Sequence, residues 1–349
     1  MVTTSSKTLL IYTGGTIGML EDAATGSLIP LNFSELEKYI PELMRFSKSM
    51  DVVAFEKPID SSDVNIQTWV SIAEIIEKNY DQYSGFVVLH GTDTMAYSAS
   101  ALSFMLQNLT KPVIFTGSQL PIGRLRTDGK ENLITAIEIA GARRNGEPVI
   151  QEVAVLFESK LLRGNRTHKY STENFDAFDS PNYDELAEIG IHIIYSHQRL
   201  LRNDSKELKV LKEFDNRVGI LKLFPGMSPA FVQSILTSPQ LKAIVFETYG
   251  SGNAPKEGWL VEALRSAIER GLVILNITQC SKGFVEQGLY DTSAALQRIG
   301  VIGGADMTTE AALTKLMFLL GQNYSGATLK EKLTTPMAGE LTTFSSLGV

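Results

Sequence analysis

The sequence is poor in the residues that disulfides, metal centres and nucleic-acid surfaces require. Its 349 residues include one cysteine, Cys280, so no disulfide can form within the chain. The four histidines are scattered and lack metal-ligand spacing, so no metal is expected, and the glycine loops taken up below leave no cofactor expected either. Basic side chains number 32 against 39 acidic ones, a net charge of −7. With no basic stripe to attract a phosphate backbone, nucleic acid is not an expected partner. No apolar run reaches membrane-spanning length, and the N-terminus lacks the basic and then apolar segments of a secretory leader. No repeat and no low-complexity segment is present. These absences together predict a reduced, soluble, cytoplasmic protein without a membrane or nucleic-acid partner.

What is present is ordinary for a globular chain: 44% hydrophobic and 20% charged residues. The length suggests about two domains. Short apolar runs at Thr8–Tyr12, Gly85–His90, Pro112–Thr116 and Glu152–Phe157 read as strands. Between them, Trp69–Tyr80, Thr94–Asn108 and Asn132–Arg143 carry apolar residues at helical spacing. Strands apolar throughout fit a parallel sheet covered on both faces, so the alternation predicts an α/β fold. From Ile191 to about Arg217 the texture becomes charged and reads as an interdomain connection. Alternation then resumes, with strands at Val218–Leu223, Leu241–Phe246 and Leu272–Ile277. Helices are expected over Gly226–Leu236, with Ser228-Pro229 as cap and first position, and over Trp259–Arg270 and Thr309–Leu320. The expected organisation is a larger N-terminal α/β domain (1–199) with a mainly parallel sheet flanked by helices, a linker (200–217) and a smaller C-terminal α/β domain (218–349).

Two stretches share one grammar: "IYTGGTIGM" and "FVVLHGTDTMAYS", each a strand running into glycine and threonine. In open parallel sheets, ligands sit at the carboxyl ends of strands, where both corners fall. A phosphate-binding P-loop needs a lysine after its glycines, and Thr16-Ile17-Gly18-Met19 supplies none. Gly14, Gly15 and Gly18 also miss the G-x-G-x-x-G spacing of a dinucleotide site. That leaves the hydroxyls of Thr16 and Thr92, beside glycines whose missing Cβ would let a substrate approach. A threonine nucleophile needs a base, and no G-x-S-x-G elbow or Ser-His-Asp pattern is present to supply one. Asp93, or a lysine held against a carboxylate, could serve. The competing reading is local: Thr16 ends a strand, and Thr92, Asp93 or Thr94 caps the helix that follows. Lys169 reads equally as a solvated charge in a basic stretch, and His168 as a surface or structural histidine.

The segments "YTGGTIGM", "DSSD" at Asp60–Asp63, "GFVVLHGTDTMAYSASALSFML", "KPVIFTGSQLP", "RGNRTHK", "YGSGNAP", "NITQCSKG" and "GVIGGADMT" resemble, in order, the bacterial type I L-asparaginases. The resemblance runs from Tyr12 to Thr308 and implies hydrolysis of L-asparagine to L-aspartate and ammonia. Thr16 matches the family's nucleophile, which forms a β-aspartyl enzyme. Thr92, Asp93 and Lys169 match its catalytic relay, and backbone N–H groups near the second threonine hold the oxyanion. Ser61 and Asp93 would grip the substrate's α-carboxylate and α-ammonium, with Ser62 beside them. Ser118 matches a position lining the amide pocket. The family is dimeric or a dimer of dimers, its sites formed between the N-terminal domain of one subunit and the C-terminal domain of its neighbour. Asn253 matches the residue offered across that interface.

Two departures from the pattern stand out. Related enzymes carry a tyrosine just before an Ile-Pro pair downstream of the nucleophile, where this sequence has Leu28; Tyr12, on the strand itself, is expected to be packed. Some type I enzymes bind activating asparagine at a second site that includes an arginine before the "YG" pair. Here Glu247 takes that position, while Thr278 and Cys280 keep the rest, so Cys280 is either a remnant of that site or a small buried residue. A carboxylate at 247 would repel the effector's own carboxylate, so activation is expected to be weak or absent. Glutamine is expected as a weaker substrate. Two other functions compete: the amidase subunit of a tRNA-dependent amidotransferase, and a non-catalytic amino-acid sensor. The early first strand and acidic charge weigh against the former, and retention of both threonines and the lysine against the latter.

Overall fold

The computed structural model describes residues 7–21, 28–30, 38–46, 49–203, 207–255, 258–286 and 291–343. The chain divides into two compact units, one ending at Lys212 and the other beginning at Glu213.

The first unit is built on β1 (Thr8–Gly14), β2 (Met50–Ile59), α1 (Ile66–Asn79), β3 (Gly85–Leu89), α2 (Met95–Met105), β4 (Val113–Thr116) and α3 (Gly129–Gly141). It continues with β5 (Val153–Phe157), β6 (Lys160–Arg163), β7 (Ala187–Ile189) and β8 (Ile193–Tyr195). These strands form one sheet in the order β8-β7-β6-β5-β4-β3-β1-β2. From β2 to β5 the pairing is parallel, and from β5 to β8 antiparallel. Every residue of β1, β3, β4 and β5 is buried, as expected for central strands with both faces covered. Leu10, Val87, Ile114 and Leu156 meet Leu133 and Ile137 of α3 in one core cluster.

The helices start where side chains can satisfy their first N–H groups. Helix α1 begins at Ile66 rather than Trp69, because Asn65 Oδ1 accepts from the N–H groups of Gln67 (2.9 Å) and Thr68 (3.4 Å). Helix α2 ends at Met105, where Leu106–Gln107 leaves the helix to pair with Lys209–Val210. The edge strand β8 lies inside the stretch expected to be connection from Ile191. Ile193 and Tyr195 pack on the core while Ile194 is exposed, a period-two pattern masked by its charged surroundings.

The second unit carries a parallel sheet of β9 (Val218–Lys222), β10 (Ala243–Thr248), β11 (Val273–Thr278) and β12 (Ile302–Gly303), in that order. Its helices are α4 (Pro229–Leu236), α5 (Gly258–Glu269), α6 (Asp291–Arg298), α7 (Thr309–Gly321) and α8 (Gly326–Thr334). Ser228 Oγ accepts from the Phe231 N–H at 3.2 Å with Pro229 at the first helical position, as the sequence predicts. The architecture is therefore α/β in both units, with the larger sheet in the first. Among the described residues, no helix is long and apolar enough to cross a membrane.

Candidate active site

The carboxyl ends of β1, β2, β3 and β4 converge on one corner of the first unit. Their glycines let the strand ends interlock, a role the sequence reading did not foresee. A Cβ at Gly15 would lie 2.4 Å from the Gly91 nitrogen, and one at Gly91 would lie 2.5 Å from Ser61 Oγ. At Gly14 it would meet the Ile59 carbonyl at 2.2 Å, and at Gly117 the His90 carbonyl at 2.3 Å. Gly14 and Gly15 also hold φ of +128° and +89°, where side chains are strained. Chain segments far apart in sequence thus touch backbone to backbone.

Thr16 opens a short 3₁₀ turn (Thr16–Gly18) directly after Gly15. The cap position of that turn is Gly15 itself, and Thr16 is half-buried. Tyr12 is buried in the core; its hydroxyl donates to the Gly18 carbonyl at 3.1 Å, and burial pushes its pKa up to about 12. Leu28 falls on the short strand Leu28–Pro30, pairing with Glu21.

Thr92 and Asp93 occupy a second 3₁₀ turn, Thr92–Thr94, and the capping alternative fails there. Neither this turn nor α2 has a side-chain cap; Thr94 Oγ1 instead donates to the Ser61 carbonyl at 2.7 Å. The Thr92 hydroxyl is engaged by other groups. Lys169 Nζ donates to Thr92 Oγ1 at 2.8 Å and to Asp93 Oδ1 at 2.7 Å, and Thr92 Oγ1 donates to Gln119 Oε1 at 3.3 Å. The Lys169 side chain is only 14% exposed, so it is not the solvated charge its basic neighbourhood suggested.

Local structure explains why Lys169 arrives there. Arg163, at the end of β6, is buried against Glu152 with Nε to Oε2 at 2.6 Å. The Gly164–Arg166 turn follows, and Thr167 Oγ1 donates back to the Arg163 carbonyl at 2.7 Å. His168–Lys169 then pairs antiparallel with Phe178–Asp179, which fixes the direction of the chain at Lys169.

Ser61 is buried at the end of β2, while Ser62 is exposed and donates through N–H and hydroxyl to Asp60 Oδ1 at 2.9 and 3.0 Å. Ser118, also buried, donates to the Leu120 carbonyl at 2.6 Å. Beside it stands Gln119, which the sequence reading missed although it follows a third strand–glycine corner, "FTGSQ". Gln119 Nε2 donates to the Asn174 carbonyl at 3.1 Å, so its amide joins Thr92 to the segment after Lys169. Asp128 braces this loop by accepting from the N–H groups of Gln119 and Leu120, and burial raises its pKa. Asn132 Nδ2 completes the brace on the Gly117 carbonyl at 3.0 Å.

Thr16, Thr92, Asp93, Lys169, Ser61, Ser62 and Ser118 therefore all belong to the first unit, at or beside one strand edge. Asn253, Glu247, Thr278 and Cys280 belong to the second. Asn253 closes a tight loop, exchanging backbone hydrogen bonds with Tyr249 at 2.8 and 2.9 Å. Glu247 and Thr278 lie at the carboxyl ends of adjacent parallel strands, where Thr248 pairs with Thr278. Glu247 is buried, accepts from Thr309 Oγ1 at 2.7 Å and pairs with Lys222 at 3.3 Å. Cys280 is exposed, contrary to the buried reading, because it lies in the loop beyond β11 with its N–H donated to Thr278 Oγ1 at 3.0 Å. Among the described residues, no group of three His, Cys, Asp or Glu side chains could hold a metal.

Two family models match the chain: "Asparaginase, N-terminal" over residues 7–201 and "Glutaminase/Asparaginase C-terminal domain" over residues 217–333. L-asparaginase 1 of Escherichia coli is 43% identical over 335 residues, covering 95% of this chain and 96% of that protein. The human 60 kDa lysophospholipase is also 43% identical, over 96% of this chain and 61% of its own length. The crystal structure of L-asparaginase I from Vibrio cholerae superimposes with a TM-score of 0.87 at 41% identity, covering 97% of this chain and 99% of that one.

Proposed function

The chain belongs to the asparaginase family, with both family domains in order, and on that premise we propose that it is an L-asparaginase, an amidohydrolase releasing ammonia from the side-chain amide of L-asparagine. The observation that carries this reading is Lys169 Nζ held between Thr92 Oγ1 and Asp93 Oδ1, on a corner whose Gly91 packs against Gly15, the neighbour of Thr16.

In this mechanism Thr16 Oγ1 attacks the amide carbon, and backbone N–H groups around Thr92 stabilise the oxyanion. The carbon–nitrogen bond breaks, ammonia departs and a β-aspartyl ester remains on Thr16. The proton lost by Thr16 ends on the departing nitrogen. A water molecule then attacks the ester, giving aspartate and returning a proton to Thr16. Lys169 and Thr92 shuttle protons in both steps and end as they began. The carboxylate of Asp93, 63% exposed, is available to the substrate's ammonium group while it holds Lys169. Ser61, with Ser62 beside it, receives the α-carboxylate, and the Ser118 loop lines the amide pocket.

The reading extends to a cytoplasmic homo-oligomer, dimer or dimer of dimers, in which Asn253 of one subunit completes the site of its neighbour. The chain from 200 to 217 would join the catalytic unit to the smaller one. Glutamine is the weaker substrate, since one methylene in a pocket is worth about 1–3 kcal/mol. The buried Glu247, already paired with Lys222, opposes binding of a second amino acid's carboxylate, so the rate should rise hyperbolically with asparagine. Ammonia release from asparagine and from glutamine, followed across substrate concentration with a Thr16→Ala control, tests these statements together. An unchanged rate in the control would remove Thr16 as nucleophile.

A further inference from the structure

We propose that His90 is a positioning residue for the whole corner: a neutral imidazole, locked as its Nδ1–H tautomer, that fixes the Gly91 carbonyl and thereby the mutual placement of Thr16 and Thr92. The proposal rests on the reading of Thr92 and Thr16 as catalytic.

The lock follows from donors and acceptors. His90 Nδ1 is 2.7 Å from the Gly91 carbonyl, which can only accept, so Nδ1 carries the hydrogen. In the neutral ring Nε2 then accepts, and its partner at 2.9 Å is the Ser98 hydroxyl, which donates. Ser98 Oγ in turn accepts from the Trp69 indole N–H at 3.0 Å, and an indole can only donate. The chain Trp69, Ser98, His90, Gly91 therefore has a single polarity, imposed at both ends. It crosses from α1 through α2 to the end of β3. His90 and Ser98 are buried, Phe115 packs beside the imidazole with ring centroids 5.8 Å apart, and burial brings the histidine's pKa down to about 4.

The backbone of His90 is fixed as well. Its N–H donates to the Thr116 carbonyl at 2.9 Å, and its carbonyl lies against Gly117. Gly91 is the shared contact of the corner, packed between Gly15 and Ser61. Rotation of the peptide after Gly91 would move Thr92 off Lys169 and press Gly91 on Gly15, next to Thr16. The imidazole reaches neither hydroxyl in this arrangement and acts only through Gly91.

The test compares three variants of the full-length protein with the parent. His90→Leu removes the donor at similar volume, His90→Asn keeps an N–H donor near the Nδ1 position, and Thr92→Val checks the underlying reading. His90→Leu should lower kcat for asparagine about tenfold and leave KM within about twofold, because Asp93 keeps its own hold on Lys169. His90→Asn should recover to within about threefold of the parent. Nitrogen NMR of the parent should show a neutral Nδ1–H histidine that does not titrate between about pH 5 and 8. Unchanged kcat in His90→Leu, an Asn variant as slow as the Leu variant, or an Nε2–H or titrating signal overturns the proposal. If His90→Leu does not fold, Ser98→Ala and the NMR signature decide instead: full kcat in the Ser98 variant, or the wrong tautomer, overturns it. Thr92→Val should lose turnover by about a thousandfold. Full turnover in that variant would remove the relay reading, and the tautomer measurement would still report on His90 alone.

Discussion

Lys169 is mostly buried while its partner Asp93 stands in solvent, and this asymmetry lets the proposed catalytic role be tested apart from stability at the scale of one residue. A half-exposed ion pair contributes little to folding, about 0–1 kcal/mol. Lys169→Met should therefore melt close to the parent yet lose about a thousandfold in kcat, as expected for a proton-transfer group. Paired melting and ammonia-release measurements check it; a large drop in melting temperature would assign the lysine a structural role instead. His90 has a consequence for pH. Its folded pKa of about 4 lies below the ordinary value of 6.5, so the unfolded chain binds more protons between those limits. This contribution to stability is complete above about pH 6.5 and is lost as the pH falls towards 4, about 3 kcal/mol in all. Urea midpoints followed across that window should fall less steeply in His90→Asn than in the parent.

At the scale of elements, strand ends decide what the sequence could and could not reveal. The fully buried strands β1, β3, β4 and β5 were legible, because uninterrupted apolar runs bounded by glycine or, for β5, by glutamates have few other readings. β2 was not: as an edge strand it carries Asp51, Glu56 and Lys57 among its apolar residues, and only Met50 is fully buried. β6 to β8 were missed because each is only three or four residues long, and the pairing that joins the β5–β6 hairpin to the β7–β8 hairpin links residues distant in sequence. Thr16, Thr92, Asp93 and Lys169 were singled out through their motif context, since local pattern alone allowed a strand end or helix cap for the first three and a solvated charge for the lysine. Gln119 and His90 escaped because their roles depend on hydrogen bonds between loops and helices that no local pattern records. The glycine corners carry an interlock that the sequence did not disclose, and the interlock makes its own prediction. Gly15→Ala forces a Cβ into the Gly91 backbone as well as straining φ, whereas Gly146→Ala, at φ +86° with open space around it, adds only the strain. The Gly146 variant should cost about 1–2 kcal/mol in denaturant unfolding. Gly15→Ala should cost more and abolish turnover even where it folds. Equal costs would mean that the close approach is relieved without consequence.

At the scale of the whole molecule, subunit exchange tests whether Asn253 serves a neighbouring site. If the proposed dimer forms and Thr16→Ala and Asn253→Ala each abolish turnover, the two proteins unfolded together and reassembled should regain about a quarter of the parental activity, since half of random dimers would be mixed and each would carry one intact site. No recovery would place Asn253 in the site of its own chain. The second unit holds a fully buried ion pair, Lys315 with Glu340 at 2.5 Å, and Glu340 also accepts from the N–H groups of Met337 and Ala338. Glu340→Gln should destabilise by about 3–5 kcal/mol, because Lys315 would remain charged or desolvated without its partner. The double variant Lys315→Met/Glu340→Gln should recover part of that loss in thermal unfolding.

The interlocked corner also governs when activity can appear during refolding. Thr13 Oγ1 donates to the Leu89 carbonyl across 76 residues of chain, and Lys169 reaches Thr92 across 77. No local hairpin or single helix can rehearse such contacts, and closing loops of that length is slow compared with helix formation. Catalytic competence should therefore emerge with the last and slowest phase of assembly, well after helical signal has returned. An intermediate with native-like helices would be silent towards asparagine, which makes ammonia release a reporter of completed long-range closure.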